Sequence, residues 1–220
     1  MFLIRYSDRF LIVQTSTVLC MRRGARDCSW CIVFKPSGQP IPMKEELEVK
    51  IRVDDPGRVI RAIENMGGRL TSSVVEEDVY LAHPCRDFTS TDEALRMRRS
   101  DGVAELTYKG PRAMDYRGAK SRIEVTVPVG DPEAAIELLR HLGFAPVATV
   151  RKRRSYYRTD SAIISVDSVS GLGDFVEVEA IDPGLGVQGL QSIVRELGLE
   201  WRPVEETYLE MILRRGGADR

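Results

Sequence analysis

Glu46-Leu47-Glu48-Val49-Lys50-Ile51-Arg52 places a charged side chain at every second position of the chain. Residues two apart in a β-strand point to the same side of the sheet. The stretch therefore predicts a strand with one apolar face and one face that carries both acids and bases. Five further segments alternate in the same way, and they contain Arg96 and Arg98, Lys109, Arg122 and Glu124, Lys152 and Arg154, and Glu177 and Glu179.

These charged faces can look either into bulk water or into a polar interior. Bulk water is the usual environment of charged strand faces. Two features favour an interior that binds phosphate. Arginine stands at positions 96, 98, 122 and 154, and a guanidinium forks onto phosphate oxygens in a way that an ammonium cannot. The pairs Glu46/Glu48 and Glu177/Glu179 would repel each other in a partly closed site unless a cation lay between them.

The bulk composition limits the classes of function. The chain has 220 residues, of which 43% are hydrophobic and 30% charged, and its formal net charge is -1. This composition is typical of a globular domain with a real core. Without a global basic field the protein is not expected to bind nucleic acid, and any anion site must be local. No apolar run approaches the roughly 20 residues that span a bilayer, so no membrane partner is expected.

The cysteines indicate the compartment. Cys28-Ser29-Trp30-Cys31 is a CxxC pair that could bind zinc or act in redox chemistry. A second CxxC is missing from the sequence, and no thioredoxin-like pattern surrounds this one. Reduced thiols in a cytoplasmic protein are the favoured interpretation.

The chain divides near Met43. Residues 1–42 combine an apolar start with Arg5, Asp8 and Arg9, which interrupt the run that a secretion signal needs. We expect residues 1–42 to be either a poorly ordered extension or the product of an upstream translation start. The sequence alone does not distinguish these two alternatives. Residues 43–214 form one predicted domain, and residues 215–220 form a tail.

Strands and helices follow in two similar rounds after Met43. Helices are predicted after Asp55-Pro56 and Asp131-Pro132, since proline is favoured at the first helical position; two more are predicted over 185–197 and 205–214. Strands are predicted over 45–53, 69–82, 93–99, 103–109, 120–129, 147–157, 161–167 and 174–181. Eight antiparallel strands are enough to close a barrel. The predicted fold is therefore α+β, a closed eight-stranded antiparallel β-barrel with helices packed outside, and its two rounds hint at an internal repeat.

Seven ordered segments resemble the CYTH family, which includes class IV adenylate cyclases and thiamine triphosphatases. The family signature Glu-x-Glu-x-Lys matches Glu46-Leu47-Glu48-Val49-Lys50, and the likeness covers about 43–214. The other segments are Ala94-Leu95-Arg96-Met97-Arg98, Leu106-Thr107-Tyr108-Lys109-Gly110-Pro111, Arg122-Ile123-Glu124, Lys152-Arg153-Arg154-Ser155-Tyr156-Tyr157, Ser165-Val166-Asp167 and Gly171-Leu172-Gly173-Asp174-Phe175-Val176-Glu177-Val178-Glu179. One departure is Thr126, which stands where a further carboxylate is common.

The resemblance implies a triphosphate tunnel and assigns residues to it. Catalytic roles fall on Glu46, Glu48 and Lys50. A triphosphate would be bound by Lys50, Arg96, Arg98, Lys109, Arg122, Lys152 and Arg154. Mg²⁺ or Mn²⁺ would be held by Glu46, Glu48, Glu124, Asp167, Glu177 and Glu179.

The resemblance also sets the expected reactions. The loop at 83–88 and the segment at 107–111 are most similar to the class IV adenylate cyclase branch, which implies conversion of ATP to cyclic AMP and pyrophosphate. Inorganic tripolyphosphatase or thiamine triphosphatase activity is the alternative enzymatic interpretation. A non-catalytic polyphosphate or nucleotide sensor is a third, and a homodimer is a possible assembly.

Overall fold

The computed structural model describes residues 2–6, 9–13, 44–114, 118–182 and 184–218. The chain forms two compact units, Met1–Pro42 and Met43–Arg220. In the first unit, strands β1 (Phe2–Tyr6) and β2 (Arg9–Val13) pair antiparallel, with Phe2 opposite Val13. The prediction of poor order in 1–42, and the Cys28–Cys31 pair, concern residues that lie largely outside the described ones.

The second unit contains nine strands and four helices among the described residues. The strands are β3 (Lys44–Val53), β4 (Arg69–Ala82), β5 (Ala94–Ser100), β6 (Val103–Lys109), β7 (Ala113–Met114), β8 (Lys120–Val129), β9 (Ala145–Arg158), β10 (Ala162–Val169) and β11 (Gly173–Ala180). The helices are α1 (Pro56–Asn65), α2 (Pro132–His141), α3 (Gly186–Glu196) and α4 (Tyr208–Ala218).

Eight of these strands close into a barrel. They pair in the order β3-β11-β10-β9-β4-β5-β6-β8, and β8 pairs in turn with β3. Every pairing is antiparallel, and the two-residue β7 adds only to β8. The predicted fold class, a closed eight-stranded antiparallel barrel with helices, is thereby confirmed.

The barrel is assembled from two rounds with the same order of elements. The first is β3-α1-β4-β5-β6 and the second is β8-α2-β9-β10-β11. Strands of different halves pair at four places, β3 with β11, β4 with β9, β6 with β8 and β3 with β8. The order of elements therefore agrees with the repeat that the sequence only hinted at.

The helices α1 and α2 begin and end in the same way. Asp55 Oδ1 accepts a 2.9 Å hydrogen bond from the backbone N–H of Arg58, and Asp131 Oδ1 accepts one of the same length from Ala134. Each aspartate caps its helix by satisfying an N–H group that has no partner within the helix. Gly67 and Gly143 follow the two helices at φ values of 87° and 91°, which a residue without Cβ adopts at low cost.

The hydrophobic core lies outside the barrel wall, on the apolar faces of its strands. The outward side chains of β3, β10 and β11 pack against α1 and α3 in the largest cluster, which includes Val49, Ile63, Ile164, Val178 and Leu190. A smaller cluster joins α2 to β5 and β6 through Ile136, Met97 and Ala104. Covering by helices is incomplete, because Ile123 and Val127 on β8 are 47% and 38% exposed.

Helix α4 differs from the expectation for this segment. It was predicted over 205–214 and outside the barrel, but it spans Tyr208–Ala218 and its first residue enters the barrel lumen. The Tyr208 hydroxyl donates a 2.7 Å hydrogen bond to Asp167 Oδ2, and its ring lies 5.1 Å from that of Phe175. Arg112 Nη2 donates to Glu210 Oε1 at 2.7 Å, which ties α4 to the loop after β6.

Replacing Ile164 by alanine should destabilise the barrel strongly. Ile164 is fully buried in the largest cluster, and Ile→Ala substitutions in cores cost about 2–5 kcal/mol. Urea unfolding followed by circular dichroism would measure the loss. Leu138→Ala on α2, where Leu138 is 62% exposed, is the control and should change the free energy of unfolding by less than about 0.5 kcal/mol. Equal effects of the two substitutions would contradict the assignment of the core.

Candidate active site

A cavity of about 840 Å³ fills the barrel lumen. Twelve of the thirteen side chains assigned to a site from the sequence line it, and Asp167 is the exception. Those that line it are Glu46, Glu48, Lys50, Arg96, Arg98, Lys109, Arg122, Glu124, Lys152, Arg154, Glu177 and Glu179. The charged faces of the strands thus point inward, whereas the individual roles of these residues stay predictions.

Carboxylates are crowded on the β3–β11 side of the lumen. Burial, followed by the charges of Glu177 and Glu46, raises the pKa of Glu48 to about 7. Burial alone would also raise the pKa of Glu177, but Arg154 and Lys50 outweigh it and hold that pKa well below its usual range. Lys50 Nζ lies 3.3 Å from Glu177 Oε1. Glu48 is therefore the carboxylate of this group whose repulsion by acidic neighbours is not offset by basic ones.

Lys109 connects this group to β8. Its ammonium is ion-paired with Glu124, and it lies 3.5 Å from Glu46 Oε2. Burial lowers the pKa of Lys109 to about 8, although Glu46 opposes the change. Glu46 Oε2 and Glu124 Oε1 are both buried, and both face the ammonium of Lys109. A carboxylate oxygen has more than one lone pair, so these two atoms retain capacity for a second cation beside Lys109.

The β4–β5–β9 side of the lumen is different, because its charges are already matched. Arg98 binds Asp78 through two hydrogen bonds of 2.6 and 2.8 Å. Lys152 Nζ lies 2.8 Å from both Asp78 Oδ2 and Glu76 Oε2, and the Tyr156 hydroxyl donates to Glu76 Oε1 at 2.6 Å. Burial opposes ionisation of Asp78, but Arg96 and Arg98 hold its pKa far below the usual range.

Asp167 lies behind the cavity rather than in its lining. It is fully buried, and both its oxygens accept hydrogen bonds from the guanidinium of Arg154. Its Oδ2 also accepts the hydrogen bond from Tyr208. Arg154 in turn binds Glu177. These contacts suit a residue that fixes Arg154 and α4 better than they suit a metal ligand.

Arg96 and Arg122 keep donors available on the lumen side. Arg96 Nε is buried without a hydrogen-bond partner, and its nearest ion-pair contact, to Asp78, is 3.8 Å long. Arg122 donates to the backbone carbonyls of Gly110 and Asp92 at 3.1 and 3.2 Å, and it lies 3.8 Å from the Asp92 carboxylate. Burial lowers the pKa of Arg122 although the carboxylate of Asp92 opposes this, so its charge is only partly compensated.

Sequence reasoning missed several side chains of the lumen. Glu76 and Asp78 belong to the run Glu76-Glu77-Asp78 on β4, in which Glu77 breaks the alternation with apolar residues that marks the other charged strands. Lys120 stands two residues before Arg122 on β8, and burial, with the charge of Lys50, lowers its pKa to about 8. Thr126 stands where the family commonly has a further carboxylate, and its hydroxyl shares a 3.0 Å hydrogen bond with that of Thr107.

The donor set fits a hard divalent cation only in part. Among the described residues, no group of three or more His, Cys, Asp or Glu side chains is close enough to hold a metal ion by itself. The carboxylates of Glu46 and Glu124, which share the single ammonium of Lys109, and the repelled carboxylate of Glu48 nevertheless supply oxygen donors for a cation. Mg²⁺ usually takes one or two carboxylates and completes its shell with water and substrate phosphates. The lumen is consistent with a metal that binds together with such a substrate.

No helix in the described part of the chain is long and apolar enough to cross a membrane.

The CYTH domain family model matches residues 44–196, and the chain belongs to this family. A protein of Methanocaldococcus jannaschii named "Putative adenylate cyclase MJ0240" is 37% identical over 61% of this chain and 75% of its own length. Adenylate cyclase CyaB of Aeromonas hydrophila is 28% identical over 77% of this chain and 88% of its own. Inorganic pyrophosphatase TTM2 of Arabidopsis thaliana is 31% identical over 61% of this chain, but over only 19% of its own length.

The solved structure of the PH1819 protein from Pyrococcus horikoshii is similar to the chain in fold. It superposes with a TM-score of 0.69 at 36% identity, and the match covers 77% of this chain and 99% of that one. The likeness extends over nearly the whole length of that protein, which agrees with the barrel being a complete structural unit.

Replacing Glu48 by glutamine should make the metal-free protein more stable at high pH. The folded state raises the pKa of Glu48 from 4.5 to about 7, so the wild type loses stability as pH rises through this window. Glutamine mimics the protonated form at every pH. Urea unfolding in EDTA should show a gain for Glu48→Gln at pH 8 that fades at pH 4.5.

Glu196→Gln, at an exposed site on α3, is the control for this experiment. It should show little difference from the wild type at either pH. A Glu48→Gln effect of equal size at pH 4.5 and pH 8 would contradict the raised pKa.

Proposed function

We propose that the protein is a divalent-metal-dependent enzyme that acts on a triphosphate held in the barrel lumen. The observation that carries the proposal is the coexistence, in one cavity, of guanidinium donors at Arg96 and Arg122 with repelling carboxylates at Glu46 and Glu48. A polyphosphate chain would satisfy the first group, and a metal bound to it would satisfy the second.

The intact carboxylates argue for an enzyme rather than a sensor. A protein that only bound polyanions would gain affinity by losing Glu46 and Glu48, because buried carboxylates repel phosphate. Their presence beside the arginines is explained if they would hold a divalent cation that offsets the charge of the phosphates. Mg²⁺ or Mn²⁺ held by Glu46, Glu48 and Glu124 would neutralise the polyanion and align it for in-line attack.

The leading reaction is that of a class IV adenylate cyclase, with ATP as the substrate. In this reaction the ribose 3′-hydroxyl attacks the α-phosphorus, the bond to the β-phosphate oxygen breaks, and pyrophosphate leaves. The two relatives named as adenylate cyclases support this choice, since the chain covers 75% and 88% of their lengths. Lys50 and Arg154, both buried in the lumen, would bind the charge that develops on the leaving group.

Hydrolysis is the second candidate. Water would attack the terminal phosphorus of inorganic tripolyphosphate or thiamine triphosphate in the same lumen. The relative named as an inorganic pyrophosphatase supports this alternative. Both reactions need the same charged lumen, and they differ in which phosphorus faces the nucleophile.

Incubation of the protein with manganese and ATP, tripolyphosphate or thiamine triphosphate should distinguish these reactions. Cyclic AMP with pyrophosphate identifies the cyclase, whereas orthophosphate identifies the hydrolase. Glu48→Ala should lower turnover at least 100-fold while the circular dichroism spectrum stays unchanged, since a lost charge contact at a reacting centre costs about 2.7–4 kcal/mol. Glu196→Ala on α3 is the matched control and should keep full activity. A fully active Glu48→Ala protein would contradict the assignment of Glu48 as a metal ligand.

Asp167→Asn should raise the KM for the triphosphate and leave the metal requirement unchanged. Asparagine keeps one oxygen but loses the charge that holds Arg154 in place. Titration of activity with Mn²⁺ should give the same half-saturating concentration as in the wild type. A large increase in that concentration would show instead that Asp167 binds the metal, as the sequence resemblance implies.

A further inference from the structure

Tyr208 stands where a buried apolar cluster meets the charged lumen. It is the first residue of α4, it is only 6% exposed, and it lines the cavity. The ring of Phe175 lies 5.1 Å from its ring at an angle of 66°, and Met211 belongs to the same apolar cluster. The remaining contacts of Tyr208 described below are with charged groups. A single residue of α4 therefore belongs to both environments.

The ring of Tyr208 faces the ammonium groups of two buried lysines. Lys50 Nζ lies 4.0 Å from the centre of the ring, and Lys152 Nζ lies 5.8 Å from it. The negative face of an aromatic ring attracts a cation within about 6 Å, and the attraction is stronger where water is excluded. Because the ring carries no net charge, it restrains Lys50 without adding an anion that would compete with a phosphate.

The hydroxyl of Tyr208 acts on a further cation through an aspartate. It donates a 2.7 Å hydrogen bond to Asp167 Oδ2. Asp167 is fully buried, and both its oxygens also accept hydrogen bonds from the guanidinium of Arg154. Because Asp167 is held from two sides, it fixes the direction of that guanidinium. Tyr208 therefore restrains Arg154 through Asp167.

The segment that leads into α4 is anchored to the same barrel strands. The backbone N–H of Val204 donates to the carbonyl of Lys50 at 2.8 Å, and Lys120 Nζ donates to the carbonyl of Val204 at 3.0 Å. Lys50 Nζ also donates to the carbonyl of Glu206, at 3.4 Å. The backbone before Tyr208 is thus fixed against β3 and β8, and the place of its side chain in the lumen is fixed with it.

We infer that Tyr208 is a positioning residue for the reaction in the lumen. Its ring holds the ammonium of Lys50, and its hydroxyl holds Arg154 through Asp167. The inference rests on the proposed function, because it needs phosphates that are bound by these two cations. The alternative is that Tyr208 only fills the space beside Phe175. A side chain that fills space needs only the shape of the ring, whereas a positioning side chain also needs the hydroxyl and the negative ring face.

Two substitutions that nearly keep the shape of the ring separate these roles. Tyr208→Phe removes the hydroxyl and should lower kcat/KM roughly tenfold, as expected for the loss of a hydrogen bond to a charged group. Replacement of Tyr208 by trifluorophenylalanine also weakens the negative ring face, and it should lower kcat/KM by about a further threefold. Consumption of ATP and of tripolyphosphate with Mn²⁺ is measured on the full chain, and the melting temperatures are compared.

Tyr157→Phe is the matched control, since Tyr157 is buried in the cluster outside the barrel and lies outside the cavity lining. It should keep the kinetics of the wild type. If the wild type and Tyr208→Phe have equal kcat/KM, or if fluorination of the ring changes nothing further, the positioning role is overturned while the proposed function stands. If the wild type consumes neither triphosphate, the proposed function fails and the positioning role fails with it.

Discussion

The pairing of buried carboxylates with buried cations inside the lumen is the constraint on which the rest of the structure depends. Removing a charge from water costs several kcal/mol unless a partner and hydrogen bonds compensate. Asp78 and Lys152 are both almost completely buried, and each has the other at 2.8 Å. Strands that carry such residues are stable only where neighbouring strands bring the opposite charge, which favours closing the sheet on itself.

The compensation is uneven, and this unevenness gives the lumen its chemical character. Around Asp78 and Glu76 the acids and bases are already paired with one another, so this side of the lumen leaves little charge for a ligand. Around Glu48, burial and the charges of Glu177 and Glu46 raise the pKa of that one carboxyl group, and Arg96 retains a buried N–H without a partner. A ligand that brings both negative oxygens and a divalent cation would relieve both deficits at once.

Much of this architecture follows from local patterns in the sequence. Alternation along Glu46–Arg52 predicts β3 and its two faces, whereas the inward direction of the charged face required the arginines and paired acids of other strands as well. Asp55 and Asp131 before prolines mark where α1 and α2 begin. The packing of Phe175 against Tyr208 was harder to predict, because apolar residues lie on both faces of β11. The position of Tyr208 in the lumen depends on where α4 packs against the barrel. The residue pattern of a single helix does not predict this packing. Asp167 illustrates the same limit, because the family resemblance implies a metal ligand, whereas in the structure its oxygens accept hydrogen bonds from Arg154 and Tyr208.

The two rounds of the barrel have the same order of strands but carry different charges. In the first round β4 faces the lumen with Glu76 and Asp78, whereas its counterpart β9 presents Lys152 and Arg154. A barrel with matching halves would accept a symmetric polyanion equally well in either direction. Inverting the sign on one strand pair removes this degeneracy, because the acids of β4 and the bases of β9 neutralise each other and make that side of the lumen unlike the opposite side. The two sides of a bound phosphate chain would then meet different surroundings.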